Sequence, residues 1–127
     1  MRILLVDDDA FLRDMYALKF GEAGHEVDAV ASGAEALAKW EQGTVYDVVL
    51  LDMVMPSMTG TEILREIKET YPDAPTTFIV LSNQGEPSDI KEAMDAGASG
   101  YIIKAECIPS EVIEQVRKLV AEASGNT

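Results

Sequence analysis

Short apolar runs alternate five times with longer segments whose apolar residues recur at helical spacing. Arg2–Val6 is apolar from Ile3 onward, as expected of a strand buried on both faces. Asp9 or a neighbour then opens a helix carrying Phe11, Leu12, Met15, Tyr16, Phe20 and Ala23 at helical spacing, and Gly24 suits its stop. Val27–Val30 is interrupted by Asp28 and reads as an edge strand. Ser32-Gly33-Ala34-Glu35 predicts a capping box for a second helix that buries Ala36, Leu37 and Trp40 and closes at Gly43. Asp47–Leu51 is the third strand. Thr59-Gly60-Thr61-Glu62 offers another capping box, with Ile63, Leu64 and Ile67 behind it and Pro72 forbidding continuation. Thr77–Leu81 follows as a strand, then a helix with Pro87 in its first turn and Ile90, Ala93 and Met94 inward, ending at Gly97. Gly100–Ile103 is the fifth strand. A helix after Pro109 buries Val112, Ile113, Val116, Leu119 and Val120, and Ser124–Thr127 is expected to fray.

Five strand–helix units imply an α/β fold with a parallel sheet and helices on both faces, because parallel neighbours need right-handed crossovers. The polar second strand and the tyrosine-bearing fifth suit the edges, which the order 2-1-3-4-5 satisfies. Open sheets of this kind bind ligands at the carboxyl ends of their strands where the order reverses, here between strands one and three. No linker or repeat divides the chain, so residues 1–123 read as one domain with a tail at 124–127.

Composition narrows the function. A hydrophobic share of 47% with 26% charged residues is that of a soluble globular domain. The net charge of −13 argues against direct nucleic-acid binding, which needs a basic patch. The single cysteine, Cys107, permits no internal disulfide. No apolar stretch approaches the roughly 18 residues of a membrane span, and the early aspartates do not suit a secretory signal. The expectation is a cytoplasmic protein without membrane insertion.

The residues just past each strand carry the chemistry. Asp7, Asp8 and Asp9 come after the first, Asp52 after the third, Ser82 after the fourth and Lys104 after the fifth. Neighbouring strand ends lie about 5 Å apart, so carboxylates, a hydroxyl and an ammonium should share one crevice. Two like charges at about 5 Å repel by roughly 3 kcal/mol at an effective dielectric near 20. Such a site calls for a cation, and all-oxygen hard ligands favour Mg²⁺. Beside a divalent ion, Asp52 suits nucleophilic attack on a phosphoryl group, with Lys104 and Ser82 stabilising its oxygens.

Val6-Asp7-Asp8, Leu51-Asp52-Met53-Val54-Met55-Pro56 with Gly60, Leu81-Ser82 and Tyr101-Ile102-Ile103-Lys104 resemble, in order, the receiver domains of bacterial two-component response regulators. The resemblance covers the first strand to the last helix. It implies a flavodoxin-like (βα)5 three-layer sandwich. By position, Asp52 resembles the phosphoacceptor, Asp7 and Asp8 the acidic metal pair, and the Met53 backbone carbonyl a further Mg²⁺ ligand. Ser82 resembles the hydroxyl that follows phosphate, Lys104 the phosphate-pairing lysine and Tyr101 the aromatic switch. The implied donors are a histidine kinase or phosphotransfer protein, and small phosphodonors also serve. The implied output is a changed surface on helix four, strand five and helix five, about residues 87–120, presented to a downstream protein partner or to an effector domain missing from this sequence.

Two departures stand out. Ala105 follows Lys104 where the family usually has proline, often after a cis bond, so a rearranged trans loop or retained strain is expected. Asn83 follows Ser82 where a small residue is common, and is expected to slow exchange with small phosphodonors. Other residues have plainer readings. Asp9 is a helix N-cap, His25 a surface turn residue, Trp40 core, Cys107 inert, and Met53, Met55 and Met58 packing residues. A haloacid-dehalogenase-type phosphatase would want an acid two positions after the nucleophile, where Val54 stands. A receiver that only binds proteins would not need the acidic pair, Asp52, Ser82 and Lys104 together.

Overall fold

The computed structural model describes residues 1–123, so the expected fraying of 124–127 lies outside the described residues. Its order is β1 (Arg2–Val6), α1 (Ala10–Glu22), β2 (Glu26–Val30), α2 (Gly33–Glu41), β3 (Val48–Leu51), α3 (Gly60–Thr70), β4 (Thr77–Ser82), α4 (Pro87–Asp95), β5 (Gly100–Ile103) and α5 (Pro109–Ala123), with a 3₁₀ turn at Lys104–Glu106. The strands form one parallel sheet in the order β2-β1-β3-β4-β5.

The alternation of side chains in the central strands builds two cores. Leu4, Val6, Val49, Leu51, Phe78 and Val80 pack under α2 and α3, with Trp40, Ile63, Leu64 and Ile67. Ile3, Leu5, Val48, Leu50, Ile79 and Leu81 pack under α1 and α5, with Tyr16, Phe20, Val112 and Val116. Both faces are therefore dry, and the polar ends of the strands are where charged side chains can gather.

Several expectations shift in detail. β3 starts at Val48, and Asp47 just before it accepts the Arg2 N–H on its carboxylate at 2.7 Å. β4 runs one residue further, through Ser82. Phe11 is 77% exposed and Met94 and Ala23 are also exposed, so none of them packs inward. The α3 capping box closes at both ends. At α2 only half of the box forms. Ser32 accepts the Glu35 N–H at 3.2 Å, but the Glu35 carboxylate reaches past it to the Ala31 N–H, at 2.6 Å.

Candidate functional site at the carboxyl ends of the strands

Register places the acids side by side. Val6 pairs with Leu51, so the next residues, Asp7 and Asp52, leave adjacent strands together. The Asp52 N–H still donates to the Val6 carbonyl at 3.1 Å and the Asp7 N–H to the Val30 carbonyl at 3.1 Å, which ties both residues to the sheet. The Asp9 side chain accepts the Leu12 N–H and so starts α1 immediately after the acids. Its own N–H donates to Asp7 Oδ1 at 2.9 Å. Asp9 is thus the N-cap that the sequence indicated.

Asp7, Asp8 and Asp52 each offer a carboxylate oxygen, and these oxygens lie within 4.8 Å of one another. Asp7 is buried, Asp52 half-buried and Asp8 exposed. Lys104 enters from the end of the edge strand β5, its Nζ 2.6 Å from Asp7 Oδ2 and 3.3 Å from Asp52 Oδ2. One buried ammonium cannot balance three carboxylates, and the donor set is all oxygen and hard. That chemistry fits a divalent ion such as Mg²⁺.

The titration of the groups follows this packing. Burial raises the Asp52 carboxyl above the ordinary range and Asp7 adds to it, against the pull of Lys104. Burial of Lys104 works to lower its ammonium, but the hydrogen bond to Asp7 and the charge of Asp52 outweigh it, and the net shift is upward. The Lys104 ammonium is thus held by its carboxylates, whereas burial and Asp7 disfavour the Asp52 carboxylate more than Lys104 favours it.

The remaining residues are arranged around this cluster. Ser82 is buried at the end of β4, its Oγ accepting the Gln84 N–H at 3.1 Å. Tyr101 donates its hydroxyl to the Gln84 carbonyl. Gln84 therefore links Ser82 to Tyr101 through its backbone. Burial raises the Tyr101 phenol, and the carboxylates of Asp89, Asp52 and Glu92 add to the rise while Ser82 opposes it. The Met53 carbonyl accepts the Gly60 N–H at 3.1 Å, so as a metal ligand it would have to share its oxygen with that bond. Its side chain is buried and takes the Thr61 hydroxyl on sulfur at 3.3 Å.

The Ala105 departure has a simple outcome. No cis peptide bond occurs among the described residues, and Lys104–Glu106 wind into a single 3₁₀ turn closed by the Cys107 N–H on the Lys104 carbonyl. The lysine reaches the acids from that turn. Asn83 is exposed beside the site.

Two features were not read from the sequence. Arg13 Nη1 donates to the Asp7 backbone carbonyl at 2.9 Å, bringing a second cation to the acidic end. Its place five residues beyond Asp8, in the second turn of α1, was the available signal. The role of Gly60 is the other: a Cβ there would meet the Asp52 carbonyl oxygen at 2.2 Å, so only glycine lets α3 begin against the back of Asp52.

Comparison with known proteins agrees with this geometry. The family model described as "Response regulator receiver domain" matches residues 3–117. The chemotaxis protein CheY of Thermotoga maritima is 38% identical over 119 residues, covering 93% of this chain and 96% of that protein. The transcriptional regulatory protein ResD of Bacillus subtilis is 34% identical over 123 residues, covering 97% of this chain, and the chain spans only 49% of its length. Among solved structures, the response regulator TrrA of Thermotoga maritima in complex with Mg(2+)-BeF superposes with a TM-score of 0.79 at 35% identity, covering 93% of this chain and 97% of that one.

Proposed function

Because the chain belongs to the receiver domain family of two-component response regulators, we propose that it is a phosphorylation-dependent switch whose phosphoacceptor is Asp52. The observation that carries this reading is the meeting of the Asp7, Asp8 and Asp52 carboxylates within 4.8 Å beside the Lys104 ammonium. The three acids would hold Mg²⁺, which supplies positive charge for the transferring phosphoryl group. The Mg(2+)-BeF complex of the similar TrrA supports that assignment.

In the transfer, a carboxylate oxygen of Asp52 forms a bond to phosphorus. The bond from phosphorus to the donor breaks, and its electron pair returns to the donor, an imidazole nitrogen for a histidine kinase or phosphotransfer protein. Lys104, already 3.3 Å from Asp52, pairs with an oxygen of the arriving group. The Ser82 hydroxyl accepts from Gln84 and keeps its own proton to donate toward the phosphoryl oxygens. Drawing Ser82 inward pulls on Gln84, whose carbonyl holds Tyr101, and so alters the face formed by α4, β5 and α5. That face would be read by a downstream protein or an effector domain. The chain would catalyse only its own phosphorylation and dephosphorylation.

Intact-mass measurement with acetyl phosphate and Mg²⁺ tests the reading. One phosphoryl group should be gained, and none by Asp52→Ala. A gain that persists in Asp52→Ala, or no gain from any phosphodonor, refutes it. Asn83→Ala should label faster with acetyl phosphate, and an unchanged rate would remove Asn83 from the account.

A further inference from the structure

Arg13, in the second turn of α1, sends its guanidinium back to the end of β1, where Nη1 donates to the Asp7 carbonyl at 2.9 Å. That carbonyl lies where the sheet's own donors run out. β1 pairs with β2 as far as Val6 and Val30, and the Asp7 N–H still reaches the Val30 carbonyl at 3.1 Å. One step further, a parallel ladder would bring the Ser32 N–H to the Asp7 carbonyl. Ser32 caps α2 instead, and a side chain takes the place of the backbone donor.

The peptide held in this way joins two acids of the site. Its carbonyl belongs to Asp7 and its N–H to Asp8. The unit is planar, so holding the oxygen fixes the direction in which Asp8 leaves the strand. The Asp7 side chain has supports of its own, Oδ1 accepting the Asp9 N–H at 2.9 Å and Oδ2 the Lys104 ammonium at 2.6 Å. The exposed Asp8 carboxylate makes no hydrogen bond or ion pair among the described residues, so its aim is set by its backbone.

We propose that Arg13 is a positioning residue for the divalent ion, holding the Asp7–Asp8 peptide so that both carboxylates face one point. The proposal rests on the reading of Asp7, Asp8 and Asp52 as an Mg²⁺ site. The contact of Arg13 is to the backbone, and it acts on the ion only through the two acids. Groups that orient metal ligands typically govern affinity by about tenfold or more. Charge alone works the other way, because taking a cation from an acidic cluster strengthens its hold on a divalent ion. The sign of the change therefore separates positioning from charge.

Arg13→Met keeps an unbranched stem but neither donor nor charge, whereas Arg13→Lys keeps both. Calorimetric titration with Mg²⁺ should give a Kd about tenfold weaker for Arg13→Met, with Arg13→Lys between it and the wild type. In EDTA, with no metal present, the Asp8 amide of Arg13→Met should shift and lose order in relaxation measurements, while the amides of β4 keep theirs. Cooperative urea unfolding of both variants checks the fold. The proposal is overturned if Arg13→Met binds Mg²⁺ as tightly as the wild type or more so, if its Asp8 amide is unmoved, or if Arg13→Lys binds no better than Arg13→Met. A wild type that binds no Mg²⁺ refutes the metal-site reading itself and the proposal with it.

Discussion

Two lysine–aspartate pairs of almost equal length sit in different regions of this molecule. Lys91 and Asp95 meet at 2.7 Å on α4 with side chains 76% and 59% exposed. Lys104 and Asp7 meet at 2.6 Å at the strand ends with side chains 5% and 1% exposed. The first pair joins neighbouring turns of one helix. The second joins residues 97 positions apart. If the helix pair opens, water solvates both charges and little is lost. If the strand-end pair opens, Asp7 is left buried and charged with no replacement for Lys104. Distance alone therefore says little about what an ion pair does; burial decides it.

The largest expected effect tests that contrast directly. Lys104→Met should lower unfolding stability in EDTA by about 3–5 kcal/mol, measured by urea denaturation. Added Mg²⁺ should restore more stability to this variant than it adds to the wild type, because a divalent ion answers the same excess of carboxylates. A loss no greater than that of a surface lysine would break the comparison.

Two backbone changes extend the contrast from charge to geometry. Gly60→Ala should cost about 1–3 kcal/mol and slow the labelling of Asp52 by acetyl phosphate, because a methyl group would push on the Asp52 carbonyl. Ser57→Gly should act in the opposite direction. Ser57 holds φ at +73° in a three-residue turn closed by the Met58 N–H on the Pro56 carbonyl at 2.9 Å. Glycine relieves that strain at the cost of a more flexible unfolded chain, for a net gain of about 0.5–1 kcal/mol with labelling retained. The smallest effect belongs to Lys91→Ala, whose urea midpoint should be indistinguishable from wild type. A clear loss there would mean that exposed and buried pairs differ less than their surroundings suggest.

Most of the architecture was legible one segment at a time. Strands buried on both faces show as unbroken apolar runs, and Asp9, Thr59, Gly24 and Pro87 mark helix ends through their own hydrogen bonding or backbone preferences. Phe11 misled because helical spacing says which residues share a face, not whether a neighbour covers that face. Asp47 and Glu35 took partners outside their own elements, which no local pattern reveals.

At the site the division is sharper. The residue types after each strand, and hence the concentration of carboxylates opposite one lysine, follow from the chain's order together with the parallel sheet it encodes. Three things were decided only in three dimensions. Lys104 favours Asp7 over Asp52, Arg13 folds back onto the Asp7 carbonyl, and Gln84 joins Ser82 to Tyr101 through its backbone. Each depends on where a side chain or a peptide group ends up relative to a distant strand. Spacing along the chain reports local geometry, whereas partners brought together by folding are set by packing, register and the exclusion of water.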